Sequence, residues 1–330
     1  MHPKYLELLC CPHTGEPLTL DSSDVDQYGM VNSGILRSRS GHVYPIVRGI
    51  PRFVEREDYT HSFGYEWKRW SRVQFESENR GRPMEGHTTR MWDVLTEADE
   101  SVVRNRKIVE FGCGPGRFLD VISRRGGQPI GIDMSQAVEV ARSNFAHNSK
   151  VLIVQGDICT PPFREGVFDA GFTTGVLHHT PDPLRGLQAL VRTVRPGGWI
   201  ACCINPKGGF YDHKSIRRFR QLHNYLKPIV GYRFALAYSY LSAAILTPLF
   251  TMGKRVRALS PLLSYLETQW LVILPLPDIR WRILDIFDAI TPAISTTHTQ
   301  DELREWMEKA GCTHIRRAGW CDTSMIGMKS

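Results

Sequence analysis

The chain has 330 residues, 42% of them hydrophobic and 23% charged, which allows a large buried core and excludes a wholly disordered protein. Its formal net charge of +7 favours an anionic partner such as a membrane surface, a nucleic acid or a phosphorylated small molecule, but a basic solvated surface gives the same value. The eight cysteines are scattered and the first residues form no apolar leader, so we expect a cytoplasmic protein with reduced thiols.

Changes in composition along the chain predict five parts. They are a small β-rich unit (1–55), a linker with a helical segment around Phe63–Trp70 (56–106), an α/β core (107–206), a mainly helical apolar insertion (207–297), and a C-terminal helix with two closing strands (298–330).

Apolar strands alternate with amphipathic helices through the core. The predicted strands of the core and the C-terminal part are Lys107–Phe111, Pro129–Ile132, Val151–Gln155, Phe168–Thr173, Trp199–Asn205, Thr313–Arg317 and Ser324–Met328. The predicted helices are Gly116–Arg125, a helix capped by Ser135 that continues to His147, Asp182–Val194, and one that begins with a capping box of Thr299 and Glu302. This order predicts an α/β fold, in which a seven-stranded, mostly parallel sheet is covered by helices on both faces.

A glycine-rich loop follows the first core strand and opens the next helix. Glycines at 112, 114 and 116 let the backbone approach a ligand closely, and the free N–H groups of the helix suit a carboxylate. A nicotinamide-dinucleotide fingerprint requires a third glycine where this chain has Arg117. The spacing G-x-G-x-G, preceded by Glu110, resembles motif I of class I S-adenosylmethionine-dependent methyltransferases.

Later strand ends also resemble this family, over about residues 107–205. Asp133 and Met134 end the second strand, Asp157 and Ile158 follow the third, and the segment 194–199 resembles the family's turn before strand five. The resemblance implies that Asp133 accepts the ribose hydroxyls, Met134 packs on the adenine, and Asp157 accepts from the adenine amino group. The alternative is a Rossmann-like domain with another ligand.

The resemblance therefore implies S-adenosylmethionine as the cofactor. We expect its pocket to be formed by residues of the first four strand ends, which are Glu110, Gly112, Cys113, Gly114, Gly116, Asp133, Met134, Asp157, Ile158 and Thr174.

Two adjacent histidines, His178 and His179, come just after the fourth strand. They are the nearest candidates for a general base, if the methyl acceptor is a hydroxyl or an acidic carbon. The pair also resembles a common feature of the family that only shapes the loop.

The β-rich unit contains Leu8–Thr14 and Tyr44–Pro51, which resemble the zinc-ribbon-like activator subunit of certain tRNA and release-factor methyltransferases. A tetrahedral zinc site needs about four ligands. Cys10, Cys11, His13 and His42 could supply four, but their spacing in the sequence is poor for such a site. We therefore expect a unit without metal that is used for packing.

The insertion after strand five is unusually apolar, since Phe234–Gly253 contains no charged residue and a basic cluster precedes it. It can form a helical lid or pocket wall, a hairpin on a membrane surface through residues 230–277, or a dimer interface. Each alternative places apolar surface near the predicted site.

The sequence thus predicts a methyltransferase that acts on a small hydrophobic or amphipathic acceptor at oxygen, carbon or nitrogen. Peripheral contact with the membrane and a homo-oligomer stay open. A tRNA methyltransferase is the alternative, but no RNA-binding module accompanies the diffuse charge. A cofactor- or partner-binding relative without turnover is the second alternative.

Overall fold

We describe the protein from a computed structural model that covers residues 1–54, 58–146 and 148–330, apart from the side chains of residues 22, 23 and 58. The predicted boundary at residues 55 and 56 and the predicted helix end at His147 lie outside the described residues. Strands are numbered β1 (Thr19–Val25), β2 (Val31–Arg37), β3 (Val43–Val47), β4 (Ile50–Pro51), β5 (Lys107–Phe111), β6 (Gln128–Asp133), β7 (Leu152–Gln155), β8 (Phe168–Thr174), β9 (Val194–Cys203), β10 (Cys312–Arg317) and β11 (Ser324–Lys329).

The α-helices are numbered in the same way. They are α1 (His61–Arg69), α2 (His87–Thr96), α3 (Glu100–Val103), α4 (Arg117–Arg124), α5 (Ala137–Asn144), α6 (Pro183–Thr193), α7 (Lys214–Val230), α8 (Arg233–Leu241), α9 (Thr247–Gly253), α10 (Ser260–Gln269), α11 (Ile279–Ile290) and α12 (Gln300–Lys309).

The larger sheet has the strand order β10-β11-β9-β8-β5-β6-β7. The pairs from β7 to β9 are parallel, and β11 pairs antiparallel with both of its neighbours. Side chains alternate between the faces, so that Val109 of β5 packs with α6 and α12, whereas Ile108 packs with α2 and α4. The predicted α/β fold, a mostly parallel seven-stranded sheet with helices on both faces, is confirmed.

Strand β5 lies at the centre of this sheet, between β6 and β8. The chain proceeds from β5 outward to β6 and β7, and then returns to the other side of β5 at β8. This reversal of strand order opens a crevice at the carboxyl ends of the strands, which is where ligands of open α/β sheets bind.

The β-rich unit is an antiparallel sheet of order β1-β2-β3-β4 packed on the β7 edge of the larger sheet. The backbone of Arg52 forms an isolated β-bridge with Gln155, and the backbone of Leu9 forms another with Phe163. Leu36 of β2 and Ile46 of β3 lie in the same apolar cluster as Val109, so the two sheets share a core.

The insertion forms helices α7 to α11. Three of them, α7, α8 and α11, contribute to a separate apolar cluster that they share with α1. Helix α8 continues through a π-helical turn (Ser242–Leu246) into α9. The combined helix Arg233–Gly253 is long and apolar enough to cross a membrane, by length and composition only, and 39% of its apolar window is buried in the protein.

Helix α5 begins at Ala137, with Gln136 as its N-cap residue, so Ser135 lies one residue before the N-cap. The Ser135 hydroxyl still accepts from the Ala137 N–H at 3.2 Å, as a capping serine does. One local prediction was wrong. Residues from Val194 onward belong to β9 rather than to a turn before it. Val194 pairs with Phe168, and the strand register shifts before Trp199 pairs with Ala170.

Candidate functional site

A cavity of about 450 Å³ opens at the carboxyl ends of β5, β6, β7 and β8. Most of the predicted cofactor residues line it, namely Glu110, Gly112, Cys113, Gly114, Asp133, Met134, Asp157, Ile158 and Thr174. Gly116 is not in the wall but precedes the first turn of α4, with φ 91°. The structure therefore brings the four predicted strand ends to one cavity.

The loop after β5 needs its glycines for two physical reasons. Gly112 and Gly114 have φ of 76° and 50°, a backbone conformation that L side chains rarely adopt. A Cβ on Gly112 would lie 2.3 Å from Val176 Cγ2, and one on Gly114 would lie 3.2 Å from Trp67 Nε1. Larger residues would strain the loop and fill the space beside it.

Asp133 connects this loop to the end of β6. Its Oδ2 accepts from the Gly114 N–H at 2.9 Å, and its Oδ1 accepts from the backbone N–H and hydroxyl of Ser135 at 2.9 and 2.8 Å. At the end of β7, Asp157 Oδ1 accepts from the Cys159 N–H at 2.8 Å. Both carboxylates are thus held in fixed orientations on the cavity wall.

Glu110 lies below the loop and is only 3% exposed. Its Oε2 is buried and has no hydrogen-bond partner within residues 1–54, 58–146 and 148–330. Burial and the neighbouring Asp133 raise the pKa of Glu110 well above its usual value, while Arg117 opposes this effect. A donor-bearing ligand would satisfy the unpaired oxygen.

The two histidines differ in their access to the cavity. His179 lines it and its Nδ1 is 2.7 Å from the Ile294 carbonyl oxygen, so that nitrogen donates and Nε2 is the acceptor. His178 lies outside the wall, and its Nδ1 accepts from the Asn205 N–H at 3.2 Å. Burial lowers the pKa of His179 to about 4, so the ring is neutral near pH 7.

The rest of the cavity wall contains side chains that sequence reasoning missed. They are polar and aromatic side chains from α1, α4, the turn before α7, α11 and the C-terminal loop: Glu66, Trp67, Arg117, Phe210, Tyr211, Trp281, Asp285, Asp288 and Trp320. One signal was present in the sequence, since Asp285 and Asp288 are two acids one helical turn apart in an otherwise apolar segment.

The four residues considered as zinc ligands do not form one centre. Cys11 Sγ lies 3.1 Å from Tyr44 Oη, and the rings of His13 and His42 are 5.0 Å apart between centroids. Burial raises the pKa of Cys10 to about 11. Within the described ranges, no group of three or more His, Cys, Asp or Glu residues is arranged to hold a metal ion.

Residues 109–202 match a family model described as a methyltransferase domain. This segment contains the glycine loop, both aspartates and β8. Residues 109–202 form a methyltransferase domain. The domain belongs to the class I, S-adenosylmethionine-dependent type, as the order of its strand ends predicts, and S-adenosylmethionine is its cofactor.

Curated relatives resemble this domain over part of their length. A demethylmenaquinone methyltransferase of Clavibacter sepedonicus is 29% identical over 34% of this chain and 46% of its own. A ubiquinone biosynthesis O-methyltransferase of Alkalilimnicola ehrlichii is 35% identical over 30% of this chain and 41% of its own. The chain thus spans less than half the length of these two relatives.

Among solved structures, a complex between the Haloferax volcanii Trm112 methyltransferase activator and its methyltransferase partner resembles this chain at 14% identity. The match covers 81% of this chain and 96% of that chain, with a TM-score of 0.45.

The residues present fit S-adenosylmethionine. Two features suit the amino-acid part of the cofactor. Glu110 Oε2 can accept a hydrogen bond from its amino group, and the absence of a Cβ at Gly114 leaves space for it beside the loop. Asp133 and Asp157, on neighbouring strand ends, suit the hydroxyl and amino donors of its nucleoside.

Proposed function

We propose that the protein transfers a methyl group from S-adenosylmethionine to a small acceptor with a hydrophobic or amphipathic body. One observation supports this most: the cavity that the strand ends line continues into a wall of aromatic side chains. Trp67 of α1, Trp281 of α11 and Trp320 of the C-terminal loop contribute to that wall. Such a wall suits an apolar molecule placed next to the cofactor.

The relatives support the same class of acceptor. Their names refer to demethylmenaquinone and to ubiquinone biosynthesis, both of which concern amphipathic quinones. We infer an acceptor with a comparable apolar body for this chain, and leave the methylated atom open.

The bound cofactor supplies a methyl group on a sulfonium, which is a good leaving group. The chain must therefore mainly align the acceptor and exclude water. Phe63 packs on His179 with ring centroids 5.0 Å apart, which closes the cavity beside β8. His179 Nε2 can accept a hydrogen bond from a donor group on the methyl-accepting substrate. The low pKa of His179 makes it a weak base.

The test is a methyl-transfer assay with radiolabelled S-adenosylmethionine and a fractionated cell extract. We expect label in the lipid or small-molecule fraction. Label confined to RNA would support a tRNA methyltransferase instead, and cofactor binding without transfer to any fraction would support a relative without turnover.

We further propose that the insertion places the enzyme on an anionic membrane surface. Four apolar side chains form an exposed ridge at helical spacing along α8 and α9: Leu241, Ile245, Leu249 and Met252. The opposite side of the same helix is buried, as at Ala243 and Phe250. A hydrophobic ridge of this kind is suited to the headgroup–acyl boundary.

Charge favours a lipid surface over other occupants of this ridge. Between residues 213 and 266 the chain contains no acid, and its basic residues are Lys214, Arg217, Arg218, Arg220, Lys227, Arg233, Lys254, Arg255 and Arg257. Arg255 and Arg257 are exposed next to the ridge. Each basic residue near an anionic surface contributes about 1 kcal/mol of attraction.

Vesicle co-sedimentation tests this proposal with phosphatidylcholine vesicles that contain or lack phosphatidylglycerol. We expect salt-sensitive binding to the anionic vesicles, at least roughly tenfold weaker for Leu249→Glu/Met252→Glu because two apolar side chains leave the interface. The matched control is Val102→Glu, an exposed valine on α3. Equal binding of both variants to the vesicles would contradict the proposal. So would a dimer that the ridge variant disrupts, because the ridge would then be a dimer interface. Resistance to alkaline extraction would instead indicate a membrane-spanning helix and would also contradict it.

A further inference from the structure

The acceptor end of the cavity contains a buried carboxyl group that lacks a hydrogen-bond partner among the described residues. Glu66, on α1, is 0% exposed, and the part of the chain that the structure describes offers neither of its side-chain oxygens a hydrogen bond. It lies on the cavity wall. An unpaired buried carboxyl group costs free energy, so its retention here points to a ligand that donates to it.

Two more acids face the same space from the insertion. Asp285 and Asp288 stand one turn apart on α11, and both line the cavity. Tyr211 lines it too, and its hydroxyl donates to Asp288 Oδ2 at 3.4 Å. Each of the three acids belongs to an element of the apolar cluster that α1 shares with the insertion, which holds them at fixed relative positions.

Carboxyl groups outnumber cationic groups on the cavity wall. Among the described residues its carboxyl groups are Glu66, Glu110, Asp133, Asp157, Asp285 and Asp288, whereas Arg117 is the single Lys or Arg on that wall. Burial and then the other acids raise the pKa of Glu66 well above its usual value, and raise that of Asp285 to about 7. The cavity is therefore prepared for a cation.

The aromatic wall is suited to the same kind of ligand. Trp67, Phe210, Tyr211 and Trp281 line the cavity together with the acids. Aromatic faces attract a cation through their quadrupole, and most strongly where water is excluded. We infer that Glu66, Asp285 and Asp288 bind an ammonium group on the methyl acceptor, which is thus an amphipathic amine.

An amine fits this end of the cavity better than an alcohol. A hydroxyl donates one hydrogen bond and brings no charge, whereas a primary ammonium donates three and compensates the excess of acids. This inference rests on the proposed methyl transfer, because it concerns the acceptor of that reaction. It adds the acceptor's charged group to the hydrophobic body already proposed.

Two probes that differ only in the charged group test the inference: 2-phenylethylamine and 2-phenylethanol. Binding of each to the full-length protein, loaded with S-adenosylhomocysteine, is measured by titration calorimetry. We expect the amine to bind at least roughly tenfold more tightly, and expect Glu66→Gln and Asp288→Asn each to remove most of that preference, because each loses a charge-assisted hydrogen bond. Glu305→Gln is the control, since Glu305 is exposed on α12 beside Lys309.

Equal affinity of the two probes for the native chain would overturn the inference, as would an amine preference that survives in both acid variants. Affinity for S-adenosylmethionine is measured on every variant, and a cooperative thermal unfolding transition shows independently whether the variant is folded. Weaker cofactor binding by Glu66→Gln in a folded protein would assign the acid to the cofactor and also overturn the inference. Absence of cofactor binding by the native chain would instead contradict the proposed function itself.

Discussion

The two ends of the cavity are built differently. At the cofactor end, the important residues come from three adjacent strand ends, each with its own short sequence motif, and the parallel sheet brings them together. At the acceptor end, Glu66, Tyr211 and Asp285 come from distant parts of the chain and meet only through packing in the insertion. Short sequence motifs therefore define the proposed cofactor site, whereas the proposed acceptor site forms only in the tertiary structure.

The largest effect is expected at the glycine loop. Gly114→Val should weaken S-adenosylmethionine binding by more than about 100-fold, because Gly114 has positive φ and the new side chain would meet Trp67. Gly81→Val is the matched control, since Gly81 also has positive φ, at 68°, but has open space around it. Titration calorimetry distinguishes the two. Similar losses in both variants would show that the cofactor end is not specially constrained.

A smaller loss is expected from Asp133→Asn. An amide keeps the shape but loses the charge and one of two acceptor oxygens, so cofactor affinity should fall roughly tenfold to 100-fold. Asp169→Asn is a useful comparison, because Asp169 lies on β8 and hydrogen-bonds the Lys107 N–H outside the cavity wall. An unchanged dissociation constant for Asp133→Asn would remove this residue from the site.

The sequence predicted the sheet, and it predicted most of the residues that line the cavity at the strand ends, because both depend on local patterns. Alternating apolar segments defined the strands, and Gly112, Gly114 and Asp133 stand at fixed distances from strand ends. The acceptor end was not predictable in this way. Glu66 lies in a segment that reads only as an aromatic, basic helix, and its burial results from the packing of α1 on α11. His178 and His179 are adjacent in sequence, yet only His179 lines the cavity.

The smallest expected effect concerns the pH dependence of the free energy of unfolding, through an acid at the acceptor end of the cavity. Burial, and then the charge of Asp288, raise the pKa of Asp285 from 3.8 to about 7. Between these two values the folded protein binds more protons than the unfolded chain, so this group makes the free energy of unfolding fall as pH rises. Asp285→Asn removes that contribution.

Thermal unfolding without ligand measures this effect at pH 5 and pH 8. The quantity compared is the melting temperature of Asp285→Asn minus that of the native chain. This difference should be larger by a few degrees at pH 8 than at pH 5. Asp301→Asn, an exposed acid in the first turn of α12, should show no such difference. A constant offset for Asp285→Asn would mean that the acceptor end does not hold a destabilised carboxyl group.

A crystal structure with S-adenosylhomocysteine tests the central claim most directly. We predict one nucleoside across the strand ends, with its ribose on Asp133, its adenine near Asp157 and its amino-acid part on the loop 112–116. The sulfur should face the space between β8 and the acids of α1 and α11. A ligand bound away from these strand ends, or one whose sulfur faces away from Glu66 and Asp285, would contradict the account.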